Sequence, residues 1–203
     1  AQAEPELRFE QDTVTITFGQ RFENKLVSSN GLAITYSSSN EAVAAVDAAT
    51  GIASINGAGT TTITAASAAT RNYKAGSAQY TLTVNKIVLH ITGATVSDKV
   101  YNGSSAADVT EVTFADAQNA AHIVDYSADA AFPDANADDA NVNVTVTVTL
   151  ADEFTNRYEL SEHTYTAMAA AKITAKPIRI AGAAAQNRDY TPNNTAVTIT
   201  GVT

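Results

Sequence analysis

Ten consecutive residues, Asn141 to Leu150, alternate without a break. Val142, Val144, Val146, Val148 and Leu150 are apolar; Asn141, Asn143, Thr145, Thr147 and Thr149 are polar. A helix would scatter these side chains around its axis, whereas an extended backbone sends every second one to the same side. The run therefore predicts a strand with one buried and one wet face. The same period returns elsewhere. Val14, Ile16 and Phe18 alternate with threonines, Tyr80, Leu82 and Val84 alternate with Thr81 and Thr83, and Ile87, Leu89 and Ile91 share a face. Turn chemistry punctuates these runs. Asn56-Gly57 and Asn102-Gly103 predict tight turns, since both residue types tolerate positive φ. Thr50-Gly51, between "AVAAVD" and "IASI", predicts a hairpin. Many short strands with frequent turns predict an all-β chain of sandwiches.

One segment pulls the other way. "TAMAAAK", Thr166 to Lys172, has strong helix propensity. It lacks an N-cap followed by a polar face, and Ala167, Ala169, Ala171 and Ile173 fit a strand with a small-residue face, so a strand is expected. Asp116 to Ala121 and Ala135 to Ala140 are expected to be loops or short helical turns.

Composition bounds what such strands can enclose. The 203 residues suit one or two domains, and 45% are hydrophobic. Alanine is abundant, Trp and Cys are absent and Met occurs once. Each Ala in place of Val forgoes about two buried carbon groups, at roughly 0.8 kcal/mol each. The core is therefore expected to be thin, without a large aromatic-lined pocket. A net charge of −9 opposes binding to phosphate backbones, so no nucleic-acid partner is expected. Without Cys there are no disulfides and no Cys-ligated metal. No apolar run is long enough for a transmembrane helix. The opening "AQAEPE" fits a mature chain that begins after a removed leader.

A repeat organises the whole. "KVYNGSSAADVT" begins at Lys99 and "RDYTPNNTAVTIT" at Arg188. Tyr101 and Tyr190 are 89 residues apart, and at that offset Ile91 meets Ile180, Gly93 meets Gly182 and Lys99 meets Arg188. This spacing suits an entire sandwich. The expected units are residues 1–86, residues 87–176, and the opening strands of a third unit in 177–203. Asn85-Lys86 and Ala175-Lys176-Pro177 are the joints. Short joints between sandwiches predict an elongated, semi-rigid rod. Ile178 to Ile180 and Val197 to Ile199 are expected strands, available to pair with an exposed sheet edge in this chain or a neighbour.

Two family resemblances rest on specific residues. The stretch Ile34 to Ser67 resembles bacterial immunoglobulin-like group 2 domains through Ser38-Ser39-Asn40, Val43, Val46-Asp47, Gly51, Gly57-Ala58-Gly59 and Thr62-Ile63-Thr64-Ala65. "NYKAGSAQYTLTV", Asn72 to Val84, is similar to the closing strand region of the same family, so the likeness spans most of residues 6–86. Ile87 to Pro177 is similar to the Tyr-Asp-Gly repeats of bacterial surface proteins. Its carriers are Lys99-Val100-Tyr101-Asn102-Gly103, the strand Val142 to Leu150 and the close "AKITAKPI"; Asn102 stands where that family usually has Asp. The third copy departs further, with Tyr190-Thr191-Pro192. Both resemblances imply extracellular immunoglobulin-like sandwiches strung into stalks, spacers or adhesins, with no shared catalytic set.

The residues themselves offer little chemistry. No G-x-S-x-G, phosphate loop or dinucleotide fingerprint occurs. His90, His122 and His163 are isolated in sequence. Asp138-Asp139 and Asp152-Glu153 are carboxylate pairs, but glycoside hydrolysis needs two acids facing across a cleft. No cofactor is expected. Calcium is the alternative, through Asp134, Asp138 and Asp139 in "DANADDAN", although the stretch lacks the order of an EF-hand loop. Eight tyrosines could form a sugar-stacking platform or could anchor cores and corners. Tyr101, Asn102, Gly103 and Tyr190 are expected to be structural turn residues. Asn102, Asn143 and Asn193 open N-x-S/T triplets, which are incidental in a bacterial chain. The expected role is a non-catalytic surface or secreted module. Its partners would be neighbouring modules and a host, glycan or protein ligand. The alternative is a carbohydrate-binding accessory of a polysaccharide-degrading or uptake system.

Overall fold

The computed structural model describes residues 2–29, 31–138 and 140–179, together with the backbone of 184–185 and 199–200. The described chain is all-β apart from one short 3-10 turn, Asp152–Phe154. Its strands form immunoglobulin-like sandwiches in tandem, around two separate hydrophobic clusters.

The first cluster is enclosed by β1 (Leu7–Phe9), β2 (Thr13–Thr17), β3 (Leu26–Ser28), β4 (Ile34–Ser38), β5 (Ala44–Val46), β6 (Ala53–Ile55), β7 (Gly59–Ser67) and β8 (Gly76–Asn85). Strands β2, β8, β7 and β4 form one sheet in that order, while β1 pairs with β3 and β5 with β6. Val14, Ile16, Ile63, Tyr80, Leu82 and Val84 point inward as the period of two demands, and Phe9 meets Tyr80 edge-on at 4.7 Å. Burial pushes the Tyr80 phenol up to about 12, so this ring stays neutral. The β5–β6 turn is tied by Asp47. Its Oδ1 accepts from the Thr50 hydroxyl at 2.7 Å and from the backbone N–H groups of Thr50 and Ala49 at 2.7 and 3.1 Å. Gly51 closes the turn at φ +74°.

The second cluster lies within β9 (Ile87–Val96), β10 (Lys99–Val100), β11 (Ala106–Ala107), β12 (Val109–Ala115), β13 (Ala121–His122), β14 (Tyr126–Ala131), β15 (Val142–Leu150), β16 (Tyr158–Leu160), β17 (Thr164–Ala171) and β18 (Ile173–Thr174). One sheet runs β11-β14-β15-β17 and the facing one β13-β12-β9-β16, with β10 pairing to β18. Val144, Val146 and Val148 are completely buried. Each such side chain is worth about 1.5–3 kcal/mol, which offsets the thinness of an Ala-rich interior. Tyr126 adds a polar tie: its hydroxyl accepts the Val112 N–H at 2.7 Å while its ring lies edge-on to Phe114.

Two expectations change and a third holds with an added detail. The Asn56-Gly57 pair makes no positive-φ turn; of the neighbouring residues only Gly59 has φ above zero. Gly57 is small for a different reason, given below. The segment 164–171 is a strand, as its small-residue alternation predicts, but a bulge interrupts it where Val142 faces Ala171 and Val144 faces Ala167. Ala170 therefore packs on the core together with Ala167 and Ala171. In the C-terminal segment Ile178 and Arg179 are not in a strand. The pairing described there is between β19 (Ala184–Ala185) and β20 (Ile199–Thr200), antiparallel. The expected strand residues Ile180, Val197 and Thr198 lie outside the described residues.

The Asp47 turn carries a pH signature. The Thr50 hydroxyl first, then the N–H groups of Thr50 and Ala49, hold the Asp47 carboxyl below its ordinary value. A carboxyl depressed on folding stabilises above its unfolded pKa, near 3.9, and loses that contribution as pH falls through the folded value. Chemical denaturation of the wild type and Asp47→Asn should show a gap at pH 7 that closes as pH drops below about 4. A gap constant across that range would contradict this role.

Candidate functional site

Among the described residues the titratable side chains do not converge. His90 Nδ1 lies 2.8 Å from the Ser161 hydroxyl on an exposed face. His122 Nε2 lies 3.2 Å from Asp116 Oδ2, near enough for an ion pair when protonated. Its ring meets Tyr158 edge-on at 5.5 Å. His163 is exposed. Asp134 and Asp138 sit before β15, and Asp152 and Glu153 after it. The nine residues between separate them by on the order of 30 Å, too far for paired-acid chemistry. Asp134 Oδ1 accepts the Asn136 N–H at 2.8 Å and Asp138 Oδ1 the Ala140 N–H at 3.0 Å. Asp139 and Tyr190 lie outside the described residues. Among the described residues no three His, Asp or Glu side chains come together as a metal site. No helix among them is long and apolar enough to cross a membrane.

The described tyrosines do not form a platform either. Tyr80 is in the core, and Tyr36, Tyr73, Tyr126, Tyr158 and Tyr165 are half-buried. A cleft of about 400 Å³ opens beside Phe22 and the β5–β6 turn, but Phe9 and Tyr80 beneath it are buried and edge-on to each other. Tyr101 alone among the described tyrosines is exposed.

The turn around Tyr101 explains its own sequence. Lys99 Nζ donates to the carbonyls of Ser104 at 2.9 Å and Ala106 at 2.7 Å. Asn102 Oδ1 accepts the Ser104 N–H at 3.1 Å, and Gly103 supplies φ +79°. The base in "KVYNG" thus clamps the turn's carbonyls. The Tyr101 N–H donates to Thr174 O at 2.8 Å, but its ring stays outside the core.

The most developed constellation sits where the two sandwiches meet. Only Lys86 separates β8 from β9. Phe18, just past β2, donates its N–H to Asn85 O at 2.9 Å, which fixes its ring beside the joint. The loop that follows the Asp152–Phe154 turn reaches the same place. Arg157 lays its guanidinium 5.8 Å from the ring centres of both Phe18 and Phe154. Its own carbonyl accepts the Ile87 N–H at 2.9 Å, so the loop is pinned to the first residue after Lys86. On the other flank the Ala58 N–H donates to Asn156 O at 2.8 Å. Gly57 lies close by: a Cβ on it would crowd Ala42 O at 3.1 Å and stand in ordinary contact with Asn156 O at 3.5 Å. A backbone hydrogen bond and a cation–aromatic contact therefore span the joint on two sides.

Sequence reasoning places Phe18 on a strand face but does not single out Asn156 or Arg157. A signal exists: Arg157 is the first Lys or Arg after Lys99, in a stretch otherwise rich in Asp and Glu. A lone cation so isolated in sequence invites the question of what it faces.

The family described as intimin, immunoglobulin-like domain, matches residues 20–70. That span supports a bacterial immunoglobulin-like domain in the first sandwich. No curated protein sequence matches the chain. Among solved structures, Drosophila N-cadherin EC1-3 is similar at TM-score 0.30 and 10% identity, over 87% of this chain and 69% of that one. Human protocadherin-24 EC1-2 is similar at TM-score 0.29 and 12% identity, over 84% and 99%. Domains 4–9 of the surface layer protein SbsC are similar at TM-score 0.30 and 15% identity, over 97% of this chain and 36% of that one. The chain thus spans about a third of the surface-layer structure.

A double-mutant cycle tests the joint. Phe18→Leu and Arg157→Gln, singly and together, should show a coupling of about 0.5–1 kcal/mol in chemical denaturation. Additive effects would mean that the guanidinium and the ring do not interact.

Proposed function

We propose that this chain is a non-catalytic, extracellular segment of a bacterial surface or secreted protein, serving as a stalk, spacer or adhesin. Residues 1–86 form a group 2-like immunoglobulin module, 87–176 a Tyr-Asp-Gly-type module, and 177–203 the opening of another. The modules lie end to end in an elongated arrangement. Their partners are the adjoining modules and a ligand on a host protein or glycan; the net charge of −9 argues against nucleic acid.

The single observation that carries this reading is the joint. A passive linker would be long and polar, and would leave two domains to move independently. Here one residue separates two ten-residue strands, and Arg157, Asn156, Ala58 and Phe18 lock across it. Such a joint transmits orientation and load, which is what a spacer needs and what a bond-making enzyme has no use for. The bacterial immunoglobulin-like match over residues 20–70 supports the surface setting.

Small-angle X-ray scattering on the 203-residue chain tests the arrangement. The radius of gyration should lie well above the about 17 Å of a compact globule of this length. A value near that of a globule would overturn the spacer reading.

A further inference from the structure

The two sandwiches end in the same way, and among the described residues only the first of those ends is occupied. In the first, β2 runs parallel to the last strand, β8, and the next residue, Phe18, donates its N–H to Asn85 O at 2.9 Å. In the second, β10 runs parallel to the last strand, β18, and the next residue, Tyr101, donates its N–H to Thr174 O at 2.8 Å. Tyr101 is therefore the structural counterpart of Phe18. Phe18 carries the guanidinium of the following sandwich; the Tyr101 ring is 42% exposed.

The chain beyond strengthens the parallel. Thr174 stands 89 residues after Asn85, the same offset that relates Tyr190 to Tyr101. Ile178 stands 89 residues after Leu89, which is fully buried in the second core, yet Ile178 is 89% exposed. By that register it falls where a following sandwich would have a core residue. Tyr101, Ala137, Ala175, Lys176 and Ile178 line one depression at this end. Beside it lies the loop before β15, the counterpart of the Gly57–Ala58 loop before β7 that reaches Asn156. That loop carries Asp134 and Asp138, where its counterpart is neutral. An exposed aromatic face accepts a cation.

We infer that the Tyr101 end is the docking surface for the next immunoglobulin-like module of the same polypeptide, and that this module lays a guanidinium on the Tyr101 ring as the second sandwich does on Phe18. The inference rests on the spacer reading and adds to it a repeated joint: an aromatic ring after the strand paired to the last strand, and a cation from the loop of the next module.

The repeat register supplies the test. Thr203 stands 89 residues after Phe114, so the full chain followed by a copy of residues 115–176 completes a third sandwich in register and brings a second Arg157. A second version, residues 1–175 followed by a copy of 87–176, uses only complete sandwiches and guards against failure of the hybrid to fold. Proton NMR of the arginine side chains is the readout. The added Arg157 should shift upfield by more than its own Phe154 accounts for, and Tyr101→Leu should remove that excess and leave the Phe154 contribution. A second arginine whose shift Tyr101→Leu leaves unchanged, beside a first whose shift Phe18→Leu reduces, would overturn the inference and leave the spacer reading standing. Shifts at both joints that neither substitution changes would overturn both. Concentration-dependent association of the unextended chain, abolished by Tyr101→Leu, would identify a second copy as the occupant and overturn the inference.

Discussion

Lys86 stands alone between two ten-residue strands, and the rest of the molecule is arranged around that constraint. One residue cannot absorb independent motion of the bodies on either side. Their ends must therefore fit, and the fit is built from backbone as much as from side chains. Asn156 O holds Ala58 across the joint, while Arg157 O holds Ile87 within the second sandwich and Asn85 O holds Phe18 within the first. The guanidinium between Phe18 and Phe154 fills what these bonds enclose. Backbone groups at such a joint have to be paired or wetted, and here they are paired.

Period-two patterning reveals the strands because each sandwich buries one face of each sheet. Val142 to Leu150 and Tyr80 to Val84 needed no tertiary knowledge to place. Elsewhere the pattern misleads for a physical reason. Asn56-Gly57 looks like a turn, but Gly57 has no positive φ and a Cβ there would crowd Ala42 O, while the partner that this loop meets across the joint, Asn156, is 99 residues away and is not announced by local sequence. The bulge in β17 is likewise invisible, because alanines at successive positions suit either face. Tyr101 presents a turn signature, and the turn is there, yet the ring serves the outside of the sandwich.

The candidate site was harder to read than the fold because it is assembled from both modules. Phe18 comes from the end of an early strand, Ala58 from a loop before β7, and Asn156 and Arg157 from a loop after β15. No spacing rule joins positions 18, 58 and 157. By contrast, the chemistry that spacing rules do find, in the acid pairs and histidines, is dispersed. The acids at the two ends of β15 are separated by the length of the strand itself.

A rigid joint is the claim on which spacer function depends, and residual dipolar couplings measure it directly. In a weakly aligned sample of the 203-residue chain, backbone couplings from the strands around Leu82 and from those around Val146 should fit one alignment tensor with a common orientation. Two tensors of different magnitude and direction would show that the sandwiches reorient independently about Lys86, and would contradict a load-bearing joint.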